Sequence, residues 1–371
     1  MKILCFTQFY IPDIGGMQIS NSLIVEGLKK KKVEIELHLF GNSRKIIVNE
    51  NLTINNHKFI PLSFFGHLRT LLLVISSIKK VKPDLILFLD ESITRSLGMT
   101  PLKLNFNCKI FSINSGSTLT RRNLHFKGKL NAFFIKRGYE YIDKLFLSES
   151  TKNDLLKNHS YLESKINVLG RPISNNFYLK EEKFLNWKSN EKIPVLMSVG
   201  GLWKHKGFDL IIKSLALMKK KYGCEKCEYI IIGDGPEKKF LSDLIKKHKL
   251  LKVKILGYKP NSDLPSYISQ SDIFVIPSIN EGETFGRSCV EAMACSKPIL
   301  SSYLSNLSNL VKEGENGFVV KPNIKNFYFA IERFLNISRS RYIKMSKSSY
   351  KIAIKYKQEN IVNQLIKQFP K

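Results

Sequence analysis

The chain runs twice through one pattern, in which short, continuously apolar runs alternate with amphipathic stretches of helical length. In the first half the runs fall at Lys2–Phe6, Val33–Phe40, Leu85–Leu89, Ile110–Asn114, Lys144–Leu147 and Asn167–Leu169. Helical spacing between them predicts helices over Gln18–Lys30, His67–Lys80, Leu130–Tyr141 and Thr151–Asn158. The second half begins the series again, with runs at Val195–Val199, Tyr229–Ile232, Lys254–Leu256, Ile273–Ile276 and Ile299–Ser302. Helices are predicted there near Phe208–Lys221, Glu237–His248, Leu264–Gln270 and Arg287–Cys295. A strand that is apolar along its whole length has no wet face, so it belongs in a parallel sheet with helices on both sides. Two such series predict an α/β chain of two Rossmann-like, doubly wound domains. Its 371 residues are also long for a single core. The expected division is 1–178, 179–345 and a helical tail over 346–371, with the polar segment Ser174–Lys192 as linker and Pro194 opening the second domain.

Composition excludes several classes. A hydrophobic content of 43% is that of an ordinary globular chain. No apolar run approaches the roughly 20 residues needed to span a bilayer. The N-terminus turns polar too soon for a signal peptide, so a cytoplasmic location is expected. Sixty Lys+Arg against 31 Asp+Glu give a formal charge of +29. Such a chain is drawn to polyanions, although a Lys-, Asn- and Ile-rich composition of the AT-rich-genome kind accounts for the same excess. Cys224-Glu-Lys-Cys227 is the one CxxC among 6 cysteines. It lacks the second ligand pair a zinc site needs and does not open a helix as a redox pair would, so coincidence is the favoured reading.

The densest functional signal is Pro277-Ser-Ile-Asn-Glu-Gly-Glu-Thr-Phe-Gly-Arg-Ser-Cys-Val-Glu-Ala-Met-Ala294. A polar loop there delivers the chain through Phe285 and Gly286 to a predicted helix N-terminus. Unpaired backbone N–H groups and the helix dipole favour a phosphate at such a tip. Glu283 lies before the tip and Glu291 beyond it, both suited to accept hydrogen bonds from hydroxyl groups. Phosphate donors flanked by hydroxyl acceptors describe a pocket for a sugar nucleotide.

Four further turns fall at carboxyl ends of predicted strands, where open α/β sheets bind ligands. Gly15-Gly16 lets the backbone approach a phosphate, or merely makes a tight turn. Lys204 and Lys206 either reach a diphosphate as point charges or form a solvated turn before a helix. The turns around Gly233 and Tyr258 either hold a base or ribose or simply connect strand to helix.

This set resembles the retaining GT-B glycosyltransferases of the large family-four group. The resemblance runs from Phe9-Tyr-Ile-Pro-Asp-Ile-Gly-Gly16 to Glu313-Gly-Glu-Asn-Gly-Phe-Val319, and its strongest element is Glu283-x7-Glu291. It implies two Rossmann-like domains facing a cleft, with C-terminal helices crossing back to the first. It also implies transfer from a nucleotide sugar with retention of configuration and with no metal or other cofactor. On that resemblance Glu291 accepts the ribose hydroxyls and Glu283 holds the donor sugar. Backbone groups over Thr284, Phe285, Gly286, Arg287 and Ser288 bind sugar and diphosphate. Lys206, with Lys204 beside it, neutralises the leaving group, and Gly16 approaches from the first domain. Two positions depart from the family pattern. Gly201 stands where an Arg is usual, and Asn114-Ser115 stands near the place of a His, leaving Asn114 and Ser115 as acceptor-side substitutes.

The expected partners are a nucleotide-sugar donor, UDP-linked by preference, and a glycan or lipid-linked acceptor in lipopolysaccharide, capsule or exopolysaccharide assembly. An anionic membrane surface is a third candidate partner. Lys29–Lys32, Arg121-Arg122, Lys127, Lys129 and Lys136-Arg137 could dock there beside Phe126, Phe133 and Phe134. The alternative is a basic nucleic-acid-binding protein on a Rossmann-like scaffold. That reading explains the charge but not the carboxylates, and no helix-turn-helix, finger or RNP pattern supports it, so no nucleic acid is expected. A dinucleotide-dependent oxidoreductase is disfavoured by the absence of G-x-G-x-x-G after the first strand.

Overall fold

Two parallel sheets organise the chain. The computed structural model describes residues 1–11, 15–41, 51–58, 64–100, 106–114, 126–179, 193–280, 285–304 and 307–370. Of the expected site residues, Ser115, Glu283 and Thr284 lie outside these, as do Arg121, Arg122 and most of the expected linker.

The first sheet holds β1 (Lys2–Thr7), β2 (Glu34–Phe40), β3 (Leu52–His57), β4 (Leu85–Phe88), β5 (Lys109–Ile113), β6 (Lys144–Leu147) and β7 (Ile166–Val168). Its order is β3-β2-β1-β4-β5-β6-β7, and each neighbouring pair is parallel. The accompanying helices are α1 (Gly16–Lys30), α2 (Phe64–Val81), α3 (Glu91–Gly98), α4 (Phe126–Gly138) and α5 (Glu149–Leu156). Ile3, Leu4, Cys5 and Phe6 are fully buried, as are Leu85 to Phe88, which is why these runs carry no polar face.

The second sheet has β8 (Val195–Val199), β9 (Glu228–Ile232), β10 (Val253–Ile255), β11 (Ile273–Ile276), β12 (Ile299–Ser302) and β13 (Gly317–Val320). The order is β10-β9-β8-β11-β12-β13, again parallel throughout. Around it lie α6 (Phe208–Tyr222), α7 (Lys238–Lys247), α8 (Leu264–Ser269), α9 (Arg287–Ala294), α10 (Ile324–Leu335) and α11 (Arg339–Ala353). In each sheet the strand order reverses once, between β1 and β4 and between β8 and β11. Loops leave in opposite directions there and open a crevice at the carboxyl edge.

The chain divides into residues 1–172 with 358–371, and residues 173–357. These boundaries differ from the expected 178 and 345 for a physical reason. Ile173 and Phe177 are buried in the second core, Ile173 N–H donates to Tyr356 O at 2.8 Å, and the Tyr178 hydroxyl donates to Ala353 O at 2.8 Å. Helix α11 therefore stays with the second unit. Only α12 (Gln358–Ile366) belongs to the first, where it packs on α1. There the Gln358 side chain donates to Leu23 O at 2.8 Å, and Val362 fills the space above Gly27.

The strands β3 and β13 and the helix α3 were not anticipated. β3 reads Leu-Thr-Ile-Asn-Asn-His and lies at the sheet edge, where half-exposed polar positions replace a continuous apolar run. α3 is only 8 residues long and is fixed at its start by Asp90, whose side chain accepts from Ser92 N–H.

Candidate active site

In the second unit the turn after β8 carries Lys204–Lys206 as a single 3-10 turn, ended by Gly207 at φ 68°. That left-handed residue also starts α6. A side chain at position 207 would put its Cβ 2.1 Å from Pro277 O, so only glycine fits. Ile279 N–H donates to His205 O at 2.8 Å. The lysine turn is thus fastened to the Pro277–Ile279 segment after β11, across the point where the strand order reverses. Lys204 is exposed and Lys206 half-buried.

The neighbouring turns meet backbone to backbone. Gly233, after β9, has φ 148°, and a Cβ there would lie 1.9 Å from Gly200 O. Its N–H donates to Gly257 O at 2.9 Å, and Leu202 N–H donates to Asp234 O at 2.9 Å. These bonds tie the ends of β8, β9 and β10 into one rim, beside which Tyr258 stands half exposed. Within the rim Lys238 contacts Asp234 at 2.8 Å and Gly235 N–H donates to it, and together they hold that carboxyl below its usual range.

On the other side of the reversal, Phe285 stacks edge-on against Tyr356, with centroids 5.4 Å apart. Gly286, at φ 71°, is the N-cap of α9 and, being glycine, supplies no side-chain cap of its own. Glu291 lies on this helix and is only 3% exposed, a burial that demands partners for a carboxylate. It has two: Arg287 Nε at 2.8 Å and Asn261 Nδ2 at 3.2 Å, both on Oε1. Ser288 is half-buried on the first turn of the helix. The structure therefore gathers Lys204, Lys206, Gly233, Tyr258, Gly286, Arg287, Ser288 and Glu291 at one sheet edge. Asn261 was not foreseen, because nothing in its spacing connects it to a residue 30 positions away.

In the first unit, Gly15 precedes α1 with an extended backbone and Gly16 is exposed at the first turn. Their loop is anchored by Asn21, whose side chain donates to Thr7 Oγ1 at 3.1 Å and Phe9 O at 2.9 Å. Asp90 Oδ2 accepts from Thr7 Oγ1 and Gln8 N–H, both at 2.8 Å, spanning the β1/β4 reversal. Asn114 does fall at the carboxyl end of β5, but it is 2% exposed and held inside the protein. Its Oδ1 accepts from Ser112 Oγ at 2.9 Å and its Nδ2 donates to Tyr139 at 3.2 Å. Burial and the nearby Glu91 push the Tyr139 phenol well above its ordinary range.

Among the described residues no group of three or more His, Cys, Asp or Glu could hold a metal ion. All 6 cysteines are free, Cys224 exposed and Cys227 buried. The hollow lined by Asp84, Phe106, Cys108, Lys109 and Asp143 lies at the amino ends of β4, β5 and β6, the edge away from the reversal.

The two parallel sheets match a GT-B-type architecture, and the chain is related to several nucleotide-sugar-dependent glycosyltransferases. A family model described as glycosyl transferases group 1 matches residues 180–352. The chain is 25% identical over 351 residues to the alpha-monoglucosyldiacylglycerol synthase of Acholeplasma laidlawii, covering 87% of this chain and 85% of that one. Among solved structures it resembles the sucrose-phosphate synthase of Thermosynechococcus elongatus with a TM-score of 0.80 at 16% identity, covering 99% and 97% of the two chains. It also resembles Anabaena HepE in complex with UDP and glucose, with a TM-score of 0.75 at 19% identity and 99% and 98% coverage. At these identities what the structures share is the fold.

Proposed function

We propose that the chain is a retaining glycosyltransferase that moves a hexose or N-acetylhexosamine from a UDP-linked donor to a membrane-associated glycan or lipid carrier. The observation that carries this reading is the meeting of three features at one reversal point: the Lys204–Lys206 turn, the Gly286 helix tip and buried Glu291. Two cations and a ring of backbone N–H groups suit a leaving diphosphate, and a buried carboxylate suits ribose hydroxyls. The complex of HepE with UDP and glucose and the lipid named in the Acholeplasma synthase support the donor and acceptor halves.

In the reaction the anomeric carbon–phosphate oxygen bond breaks while the acceptor oxygen attacks from the same face. The acceptor proton passes to a phosphate oxygen of the departing UDP. Lys206, with Lys204, offsets the charge growing on that diphosphate. Glu291 holds the nucleotide through ribose hydroxyls, with Arg287 and Asn261 fixing the carboxylate when the donor is absent. Glu283 is assigned to the donor sugar.

A panel of UDP- and GDP-sugars, assayed for hydrolysis with the wild-type chain and with Glu283→Gln and Glu291→Gln, tests the reading. Hydrolysis of one UDP-sugar, lost in both variants, supports it. Turnover unaffected by either change, or calorimetric binding of an oligonucleotide in place of UDP, would overturn it.

A further inference from the structure

Helix α2 is buried on one side and apolar on both. Leu71, Val74 and Val81 enter the first core, together with Ile93 and Leu97 of α3 and Ile135 of α4. On the outer side, at helical spacing, Phe65 is 72% exposed, Leu68 44% and Leu72 60%. Helix α4 repeats the arrangement, with Leu130 46% and Phe133 53% exposed. α3 links the two helices. His67 Nδ1 lies 2.7 Å from Ser96 Oγ, and a Cβ on Gly138 would come within 2.0 Å of Thr94 O. One shared core and these contacts turn the outer faces of α2 and α4 the same way.

The charged side chains of α2 and α4 are all of one sign. Residues 64–81 and 126–138 contain no Asp or Glu. Arg69, Lys79, Lys80, Lys129 and Lys136 are exposed on them. Arg137 of the same helix instead donates to Thr100 O at 3.0 Å. Exposed Phe and Leu ringed by cations fit a surface that is apolar within and anionic at its boundary. A second copy of the chain would set like charges against each other.

We infer that the outer faces of α2 and α4 dock on an anionic lipid bilayer. Phe65, Leu68, Leu72, Leu130 and Phe133 enter the boundary between headgroups and acyl chains, and the five cations meet lipid phosphates. The surface deepens the proposed function and rests on it for its purpose, since it would hold the chain where a membrane-associated acceptor lies. It shares Lys129, Lys136 and Phe133 with the patch expected from the sequence, adds α2, and leaves out the lysines at the end of α1. Lys29–Lys32 close α1, which packs on α12 and lies apart from this face.

Flotation of the full chain with vesicles tests the inference without any sugar nucleotide. The chain should float with vesicles containing phosphatidylglycerol, much less with phosphatidylcholine alone, and less as salt rises. The double change Phe65→Ser with Leu72→Ser should weaken partitioning by about tenfold or more. Each of Lys79→Gln and Lys80→Gln should weaken it about fivefold on anionic vesicles only. Lys30→Gln with Lys31→Gln should leave it unchanged. These side chains are exposed, so an unchanged urea midpoint certifies each variant's fold. Failure of the wild-type chain to float, or equal flotation of the serine variant, would overturn the proposal. So would a wild-type dimer that the serine change makes monomeric, which would assign the face to a second copy. Donor hydrolysis is measured alongside: hydrolysis without flotation removes only the surface, and flotation without hydrolysis removes only the enzymatic reading.

Discussion

Asp90 holds Thr7 across the reversal of the first sheet: the Thr7 hydroxyl donates to Asp90 Oδ2 at 2.8 Å, and both residues are buried. The same carboxylate accepts from Gln8 N–H and, through Oδ1, from Ser92 N–H at 3.0 Å. One side chain thereby ends β1 and starts α3. Asp90→Ala should strand these donors and cost about 2–3 kcal/mol. A lower urea midpoint for the first unit checks it, and an unchanged midpoint would contradict it.

Glu291 and Arg287 form a pair whose side chains are 4% and 13% exposed. Arg287→Ala leaves a buried carboxylate with less compensation and should cost about 3 kcal/mol in the second unit. Replacing both at once, Arg287→Met together with Glu291→Leu, should cost less than the single change while abolishing UDP binding. Denaturation and calorimetry together separate the structural effect from the ligand effect.

Gly233→Ala should be among the most damaging single-methyl changes in the chain. The added carbon has nowhere to go, with Gly200 O 1.9 Å away and φ at 148°. About 3 kcal/mol or more of stability is expected to disappear, as read from the unfolding midpoint. Alanine at Gly223, which has φ 70° but open space around it, should cost about 1 kcal/mol.

Lys206→Ala should lower donor turnover by about a hundredfold while leaving the unfolding midpoint near that of wild type. Lys204→Ala, on the exposed end of the same turn, should have the smaller effect. Steady-state kinetics on a UDP-sugar would show the reverse order if Lys204 were the residue that meets the diphosphate.

The first unit should weaken in acid. Burial lowers His57 and His67 from 6.5 to about 4 and also lowers His38, with Lys80 and Arg95 adding to the effect on His38 and His67. His38 Nδ1 and His57 Nε2 lie 3.0 Å apart, a hydrogen bond that two imidazolium rings cannot make. A histidine harder to protonate when folded than when unfolded contributes its full stability above about pH 6.5. That contribution is lost as pH falls towards 4, because the unfolded chain binds more protons. Thermal midpoints measured across this window should fall, and His57→Phe should flatten the slope.

Much of the fold was legible because most strands are buried on both faces. β8, β11 and β12 occupy the runs expected of them, since burial on both faces excludes charged side chains and admits only small polar ones such as Ser198 and Ser301. β3 escaped because an edge strand can keep Asn55 and Asn56. α3 escaped because a helix of 8 residues has too few turns to display a periodic stripe. The site was legible as separate turns but not as an assembly. That Gly207 packs on Pro277 follows from β8 lying beside β11, a pairing between strands more than 70 residues apart. Asn114 was placed at the correct strand end. Its inward direction is set by Tyr139, a partner no local pattern identifies.

The first unit is assembled from two separate stretches, 1–172 and 358–371. Its α1 helix packs on β2, but the flank that faces α12 stays uncovered until α12 has been synthesised, after the whole second unit. During translation that apolar flank would wait, exposed, while residues 173–357 emerge and fold. A gene fragment ending at Pro172 should therefore yield an incompletely covered, sticky product, whereas joining Gln358–Lys371 back to it through a flexible tether should restore solubility.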